Sequence, residues 1–202
     1  MTVQFLWFLL AVFLLVLGWS AYQPYDLATW ALEALPAIVG VVILLLTFRR
    51  FRLTGLLYVL IFLHAIVLVV GAHYTYARVP YFDGFMQFIW PERNNYDKLG
   101  HFFQGLMPAI LCRELVVRFN VFNSRAWMNF FIVSCCLGFS AFYELIEWWV
   151  ALLSDEASES FLGTQGYVWD TQSDMFLALI GAVLALGLFS HWHDRQLRAL
   201  RQ

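Results

Sequence analysis

A chain of 202 residues with 62% hydrophobic and only 13% charged side chains carries more apolar surface than a water-soluble fold of this size can cover. Its formal net charge of −2, with a pI near 6.2 and a mean hydropathy of +0.70, provides no basic field and sets nucleic acid aside as a partner. The expected fold is an all-α polytopic membrane helix bundle, a single integral membrane domain over 1–202 with membrane lipids around it.

Stretches of about twenty apolar residues predict six transmembrane helices, because hydrocarbon offers the backbone no hydrogen-bond partner outside the helix itself. In chain order they cover about 4–21, 30–48, 53–73, 98–117, 127–151 and 172–191. The first run, Phe5 to Gly18, follows no Lys or Arg and precedes no small-x-small cleavage pattern, so it reads as a retained span. The fourth is the least regular, interrupted by Gly100, Gln104, Gly105 and Pro108. Between the third and fourth, about 74–95 holds Pro80, Gly84 and Pro91 among aromatics and suits a surface loop or short interfacial helix. Cys112, Cys135 and Cys136 lie in apolar stretches without metal-site spacing and read as small buried hydrophobes.

Cations retained on the cytoplasmic side set the orientation. Arg49, Arg50 and Arg52, then Arg113, Arg118 and Arg125, then Arg195, Arg198 and Arg201 share one side if both termini are cytoplasmic. The other side carries Arg78, Arg93 and Lys98, with Asp155, Glu156 and Glu159 before the last span. Trp19, Trp30, Trp90, Trp148, Trp149 and Trp169 then gather at the outer boundary, where indoles prefer to sit. The prediction is an N-in/C-in bundle in a bacterial cytoplasmic (inner) membrane.

Three spans carry ionisable pairs one helical turn apart: Asp97 and His101, Glu144 and Glu147, Asp170 and Asp174. In the six-span topology His101, Glu144, Glu147 and Asp174 fall within roughly 5–10 Å of the outer ends of their helices. A carboxylate at a helix centre costs about 2.5–3.5 kcal/mol on insertion scales, so several such groups should face inward and share a positive partner. One imidazole among carboxylates is a hard, oxygen-rich donor set for a divalent metal such as Mg²⁺, Mn²⁺, Ca²⁺, Fe²⁺ or Zn²⁺. Asp97, His101, Glu144, Glu147, Asp170 and Asp174 are the candidate ligands, with Glu144, Glu147 and His101 as candidate catalytic groups. Asp97 and Asp170 also stand where aspartates cap helices, and Thr171 with Asp174 resembles a capping box. His64 reads as a helix-to-helix hydrogen bonder, Glu114 as an ion pair with Arg113 and Arg118, and His73, Tyr74 and Tyr76 as a rim.

Four blocks, 71–76 (GAHYTY), 95–105 (NYDKLGHFFQG), 140–149 (SAFYELIEWW) and 163–175 (GTQGYVWDTQSDM), resemble the YjdF family of bacterial inner-membrane proteins over nearly the whole chain. The resemblance implies a membrane domain without an assigned reaction. Tyr167 departs from it, standing where the block is expected to be acidic. A fainter similarity to VanZ-like membrane proteins rests on the Asp97–His101 entry and on Asp174 with Gly181-Ala182, and hints at cell-envelope chemistry. Three functions remain open. One is a metal-dependent enzyme on a lipid or lipid-linked envelope substrate. The others are a proton- or cation-coupled transporter or binding module, and a structural or partner-binding membrane protein.

Overall fold

The computed structural model describes residues 2–85, 87–89, 93–153, 165 and 167–200. Trp90, Pro91, Asp155, Glu156, Glu159, Gly163, Thr164, Gly166 and Arg201, which the sequence analysis singles out, lie outside the described residues. Among the described residues six α-helices follow in chain order: α1 (Val3–Ala21), α2 (Leu27–Thr47), α3 (Gly55–His73), α4 (Tyr96–Arg118), α5 (Arg125–Leu153) and α6 (Asp170–Leu200). A 3₁₀ turn at Phe82–Gly84 interrupts the α3–α4 connection, and no strand occurs among the described residues. Each expected span is helical, and five of the six helices are by themselves long and apolar enough to cross a bilayer.

The exception is α4, and its position explains why. No residue from Tyr96 to Arg118 is exposed, whereas the other five helices all present large apolar side chains outward, among them Leu15, Leu46, Leu63, Phe130 and Leu188. With α3, α5 and α6 packed against it, α4 meets protein instead of lipid, so it carries Asp97, Lys98, His101, Arg113 and Glu114 without exposing them to hydrocarbon. Its 23 residues extend about 34 Å at 1.5 Å per residue.

The tightest packing is between α4 and α6. A methyl group at Gly105 would overlap the Ala178 carbonyl of α6, and one at Gly181 would overlap the Phe102 carbonyl of α4. Ala109, Ala178, Ala182 and Ala185 continue this seam with no exposure at all. Small residues let the two backbones touch, which is how helices associate where lipid tails remove the hydrophobic incentive. Gly105→Ala should lower stability by about 1–3 kcal/mol, since two backbones must separate to admit one methyl group. Unfolding in mild detergent with increasing denaturant measures this, and a midpoint equal to wild type would contradict the packing.

At one end of the bundle the chain gathers its arginines. Leu6 of α1, Arg52 and Thr54 before α3, and Gln196 and Ala199 of α6 line one groove, so the start of the first helix and the finish of the last lie at the same end. There α6 runs nine residues past the expected 191, because its polar last turns are held. Arg113 donates to Asp194 at 2.6 Å and to His193 Nδ1 at 3.0 Å, and His193 Nε2 lies 3.1 Å from Glu114. Gln196 Oε1 accepts the Leu56 N–H at 2.9 Å, and Glu114 accepts the Thr54 N–H at 3.1 Å and hydroxyl at 2.7 Å. The first turn of α3, which would otherwise leave orphan donors, is thus capped by side chains from two other helices. Glu114 does pair with Arg118, at 3.1 Å, but it is fully buried and anchors a larger network than an ion pair.

At the opposite end, α1, α2 and α3 are tied together. The Ser20 hydroxyl donates to the Val69 carbonyl at 2.5 Å and accepts the Trp30 indole N–H at 2.9 Å. His73 Nδ1 lies 2.9 Å from the Ser20 carbonyl, with its ring stacked on Trp19. Asp26 caps α2 by accepting the Thr29 N–H at 2.7 Å, and that bond, with the Thr29 hydroxyl, holds the Asp26 carboxyl below its usual range. Cys112 and Cys135 approach to 3.9 Å between α4 and α5 as free thiols.

Candidate functional site

The ionisable pairs of α4, α5 and α6 meet at the end opposite the arginines. His101 Nε2 lies 3.3 Å from Asp97, 3.7 Å from Glu144 and 4.0 Å from Asp174, so one nitrogen faces carboxylates from three helices. The other ring nitrogen, Nδ1, is 2.9 Å from Gln104 Oε1. An amide oxygen only accepts, so Nδ1 carries the proton in this bond and Nε2 is left to turn its lone pair or a second proton on the acids. Donor atoms of Asp97, His101 and Asp174 lie within 4.8 Å of one another, and so do those of His101, Glu144 and Glu147. Ligand atoms around one divalent ion are separated by roughly 3–4 Å, given metal–ligand bonds of 2.0–2.6 Å.

Asp170 parts from this group. Its carboxylate is bonded by Arg93 and, at 2.6 Å, by Lys98, whose ammonium also reaches Asp174 at 2.6 Å. Lys98 is 1% exposed, so its charge is balanced inside the bundle. The cations are positioned by the connection before α4. Asn94 donates to the Val79 carbonyl and to Asp83, Asn95 donates to the Phe85 carbonyl, and the Gln165 side chain bonds both the N–H and the carbonyl of Asn94. The Asn95 side chain makes no capping bond to the first turn of α4. Asp97 and Asp170 sit in first helical turns, yet their carboxylates bond charged side chains, and Asp174 faces Lys98 and His101 instead of closing a capping box. Tyr167 presents its ring 5.6 Å from the Arg93 guanidinium and 5.7 Å from the Lys98 ammonium, so an aromatic face meets these cations where the family block suggests an acid.

From His101 a cavity of about 290 Å³ opens toward the space between α2 and α5. Its polar lining includes Glu33, His64, Thr75, Tyr76, Asp97, His101, Gln104, Tyr143 and Glu147, and its apolar walls include Leu68, Phe139 and Phe142. Tyr76 occupies its place because Gly71 and Gly100 have no side chains. A methyl group on Gly71 would meet the Tyr76 ring at 2.6 Å and one on Gly100 at 3.2 Å. Thr75 and Tyr76 both have left-handed backbone, with φ of 54° and 52°, a conformation that costs energy in residues with side chains and is held here by the surrounding packing.

Glu33 is absent from the sequence-derived set. It is the single acid within α2 and is 4% exposed, with Oε2 unpartnered. Glu144 stood out as half of a pair with Glu147, whereas Glu33 stands alone, but a carboxylate inside an apolar span is itself a signal, so Glu33 was detectable on that ground. His64 does not make the expected helix-to-helix hydrogen bond: its Nε2 has no partner and its ring stacks on Phe103. Lys98, expected only as an outer-side cation at the start of the fourth span, is the central counter-ion of the α4–α6 contact.

The comparisons with known proteins agree with this architecture. The family described as "Predicted membrane protein (DUF2238)" matches residues 5–195. The "Inner membrane protein YjdF" of Escherichia coli (strain K12) is 50% identical over 184 residues, which is 91% of this chain and 88% of that protein. No solved structure matches. The chain belongs to the DUF2238 family of multi-pass membrane proteins, and its place is the inner membrane.

Proposed function

We propose that the α4–α5–α6 cluster holds a divalent metal ion and uses it in chemistry on a lipid or lipid-linked substrate of the cell envelope. The observation that carries this reading is His101 Nε2 facing Asp97, Glu144 and Asp174 within 4.0 Å while Gln104 engages Nδ1. Lys98 and Arg93 offset charge on the Asp174 and Asp97 side of the cluster, but Glu144 Oε1 is buried without a hydrogen-bond partner, and an ion among the three carboxylates would supply the positive charge it lacks. His101, Asp97, Asp174 and Glu144 would be ligands. Glu147, half-buried at the cavity wall, would accept a proton from an attacking water or hydroxyl, while the metal polarises an ester or phosphoryl oxygen. Asp170 serves as counter-ion to Arg93 and Lys98 in this reading. The basic end is cytoplasmic, α4 is the sixth span screened by its neighbours, and the site lies beneath the outer surface.

Transport is the weaker reading. Between the carboxylate cluster and the Glu114 network, α4 and α6 meet through Gly105, Ala109, Ile110, Ala178, Ala182 and Ala185, a fully apolar seam with no polar step for an ion or proton. Elemental analysis of the purified protein after equilibration with Mn²⁺ or Zn²⁺ tests the metal site. One ion per chain is expected, with affinity lower by about tenfold or more in His101→Asn and Glu144→Gln, the size of loss that disturbing a metal's ligand shell produces. A wild-type protein that retains no ion would reject it.

A further inference from the structure

The cavity beside His101 is unusual in what lines it. Three carboxylates, Glu33, Asp97 and Glu147, and two imidazoles, His64 and His101, contribute to its wall, but no Lys or Arg does. The two cations of this region lie off the wall: both bond Asp170, Lys98 also bonds Asp174, and they approach Asp97 only at its Oδ2, at 3.6 Å for Arg93 and 3.8 Å for Lys98. Phe139, Phe142, Tyr76 and Tyr143 supply aromatic surface. Two prolines inside helices, Pro36 of α2 and Pro108 of α4, also line it. Pro108 leaves the carbonyl of Gln104, a residue of the same wall, without its helical N–H donor. Carboxylates, aromatic rings and an under-used carbonyl together favour a group that donates hydrogen bonds and carries positive charge.

Two polar atoms point independently to a ligand. Glu33 Oε2 and His64 Nε2 are buried, unpartnered and belong to residues on the cavity wall, on helices α2 and α3 that contribute nothing to the metal-ligand cluster. A buried acceptor left unsatisfied costs about 1–3 kcal/mol, which a suitable donor would recover. The approach is lateral. Helices α2 and α5 hardly touch, and Phe139 and Phe142 at this gap are more than half exposed on the surface that faces lipid.

We propose that this cavity binds the ammonium head of a single-chain amphiphile, with Glu33 as its counter-ion and the alkyl chain leaving between α2 and α5 past Phe139 and Phe142. The head donates to Glu33 and lies against the Tyr76 and Tyr143 rings, while an anionic head of equal length meets Glu33 and Glu147, which have no Lys or Arg against them among the described residues. This rests on the reading of the cavity as an amphiphile site but not on the metal, which the elemental analysis tests separately.

The experiment compares dodecylamine, 1-dodecanol and dodecyl phosphate by calorimetric titration into full-length protein in nanodiscs of zwitterionic lipid, with empty nanodiscs subtracted, before and after EDTA. The wild-type protein should bind dodecylamine about tenfold or more tightly than dodecyl phosphate, the size of one charge-assisted hydrogen bond, and Glu33→Gln should erase most of that preference while changing dodecanol binding less than about twofold. Equal affinity for the three heads, a preference for phosphate, or an unchanged preference in Glu33→Gln overturns the headgroup assignment. Failure of all three probes to bind overturns the amphiphile reading as well. If Glu33→Gln does not fold, a diazirine-bearing dodecylamine on the wild-type protein decides. Crosslinks at 33–36 and 139–147 that excess dodecylamine suppresses support the proposal, and crosslinks elsewhere refute it.

Discussion

Replacing Lys98 by Met is expected to destabilise the protein by about 3–5 kcal/mol, the loss seen when one partner of a buried ion pair is removed. The Lys98 ammonium lies 2.6 Å from both Asp170 and Asp174 and is 1% exposed, so no water replaces it. Asp170 keeps Arg93 after the substitution, but Asp174 is left with His101 at 4.0 Å. The stranded charge on Asp174 should therefore dominate the effect. Adding Asp174→Asn to Lys98→Met removes that charge, and should restore about 1–3 kcal/mol. Metal content separates structural from chemical roles: Lys98→Met retains all proposed ligands and should still bind the ion, whereas the double variant should fold better and bind it worse. A Lys98→Met protein as stable as wild type would show that the ammonium is not the counter-ion joining α4 to α6.

The behaviour of α4 shows what the sequence could and could not reveal. Helix positions were legible because hydrocarbon permits few alternatives, and the apolar runs stand out plainly in five helices. The fourth looked irregular because its environment is the interior of the bundle, and which helix is central depends on contacts between distant segments. Gly105 and Gly181 read as interruptions, yet they are the points where two backbones touch. The convergence of His101, Glu144, Glu147 and Asp174 was legible from depth along their helices, with Asp97 joined to His101 by its one-turn spacing, since three acidic ends at one level must turn inward or reach solvent. Depth says nothing of rotation about the bundle axis, so it could not tell that Asp170 faces Lys98 and Arg93 while Asp174 bridges Lys98 and His101. Nor could it show that Glu33 and His64 share a cavity with His101, because α2 and α3 join the site sideways.

Glu114→Ala is expected to cost a comparable 3–5 kcal/mol at the arginine end, because one carboxylate there satisfies several buried donors at once. Its oxygens accept from the Thr54 N–H and hydroxyl and from Arg118, and one lies 3.1 Å from His193 Nε2. Arg113 donates to His193 Nδ1, which makes that atom the acceptor and leaves Nε2–H to donate to Glu114. The alanine variant strands that N–H together with the amide at the start of α3, and neither is near water. Arg118→Ala should cost less, since the Arg118 side chain is 23% exposed and Glu114 keeps its other donors. Glu114→Gln should fall between them, as it preserves one acceptor and introduces a second donor among existing ones. Hydrogen exchange distinguishes this local mechanism from general loosening: the Thr54 and Leu56 amides should lose protection in Glu114→Ala well before amides in the Gly105–Gly181 seam. Uniform loss along the bundle, or a Glu114→Ala protein within about 1 kcal/mol of wild type, would mean that the α3 start is held by its apolar contacts instead of by this carboxylate.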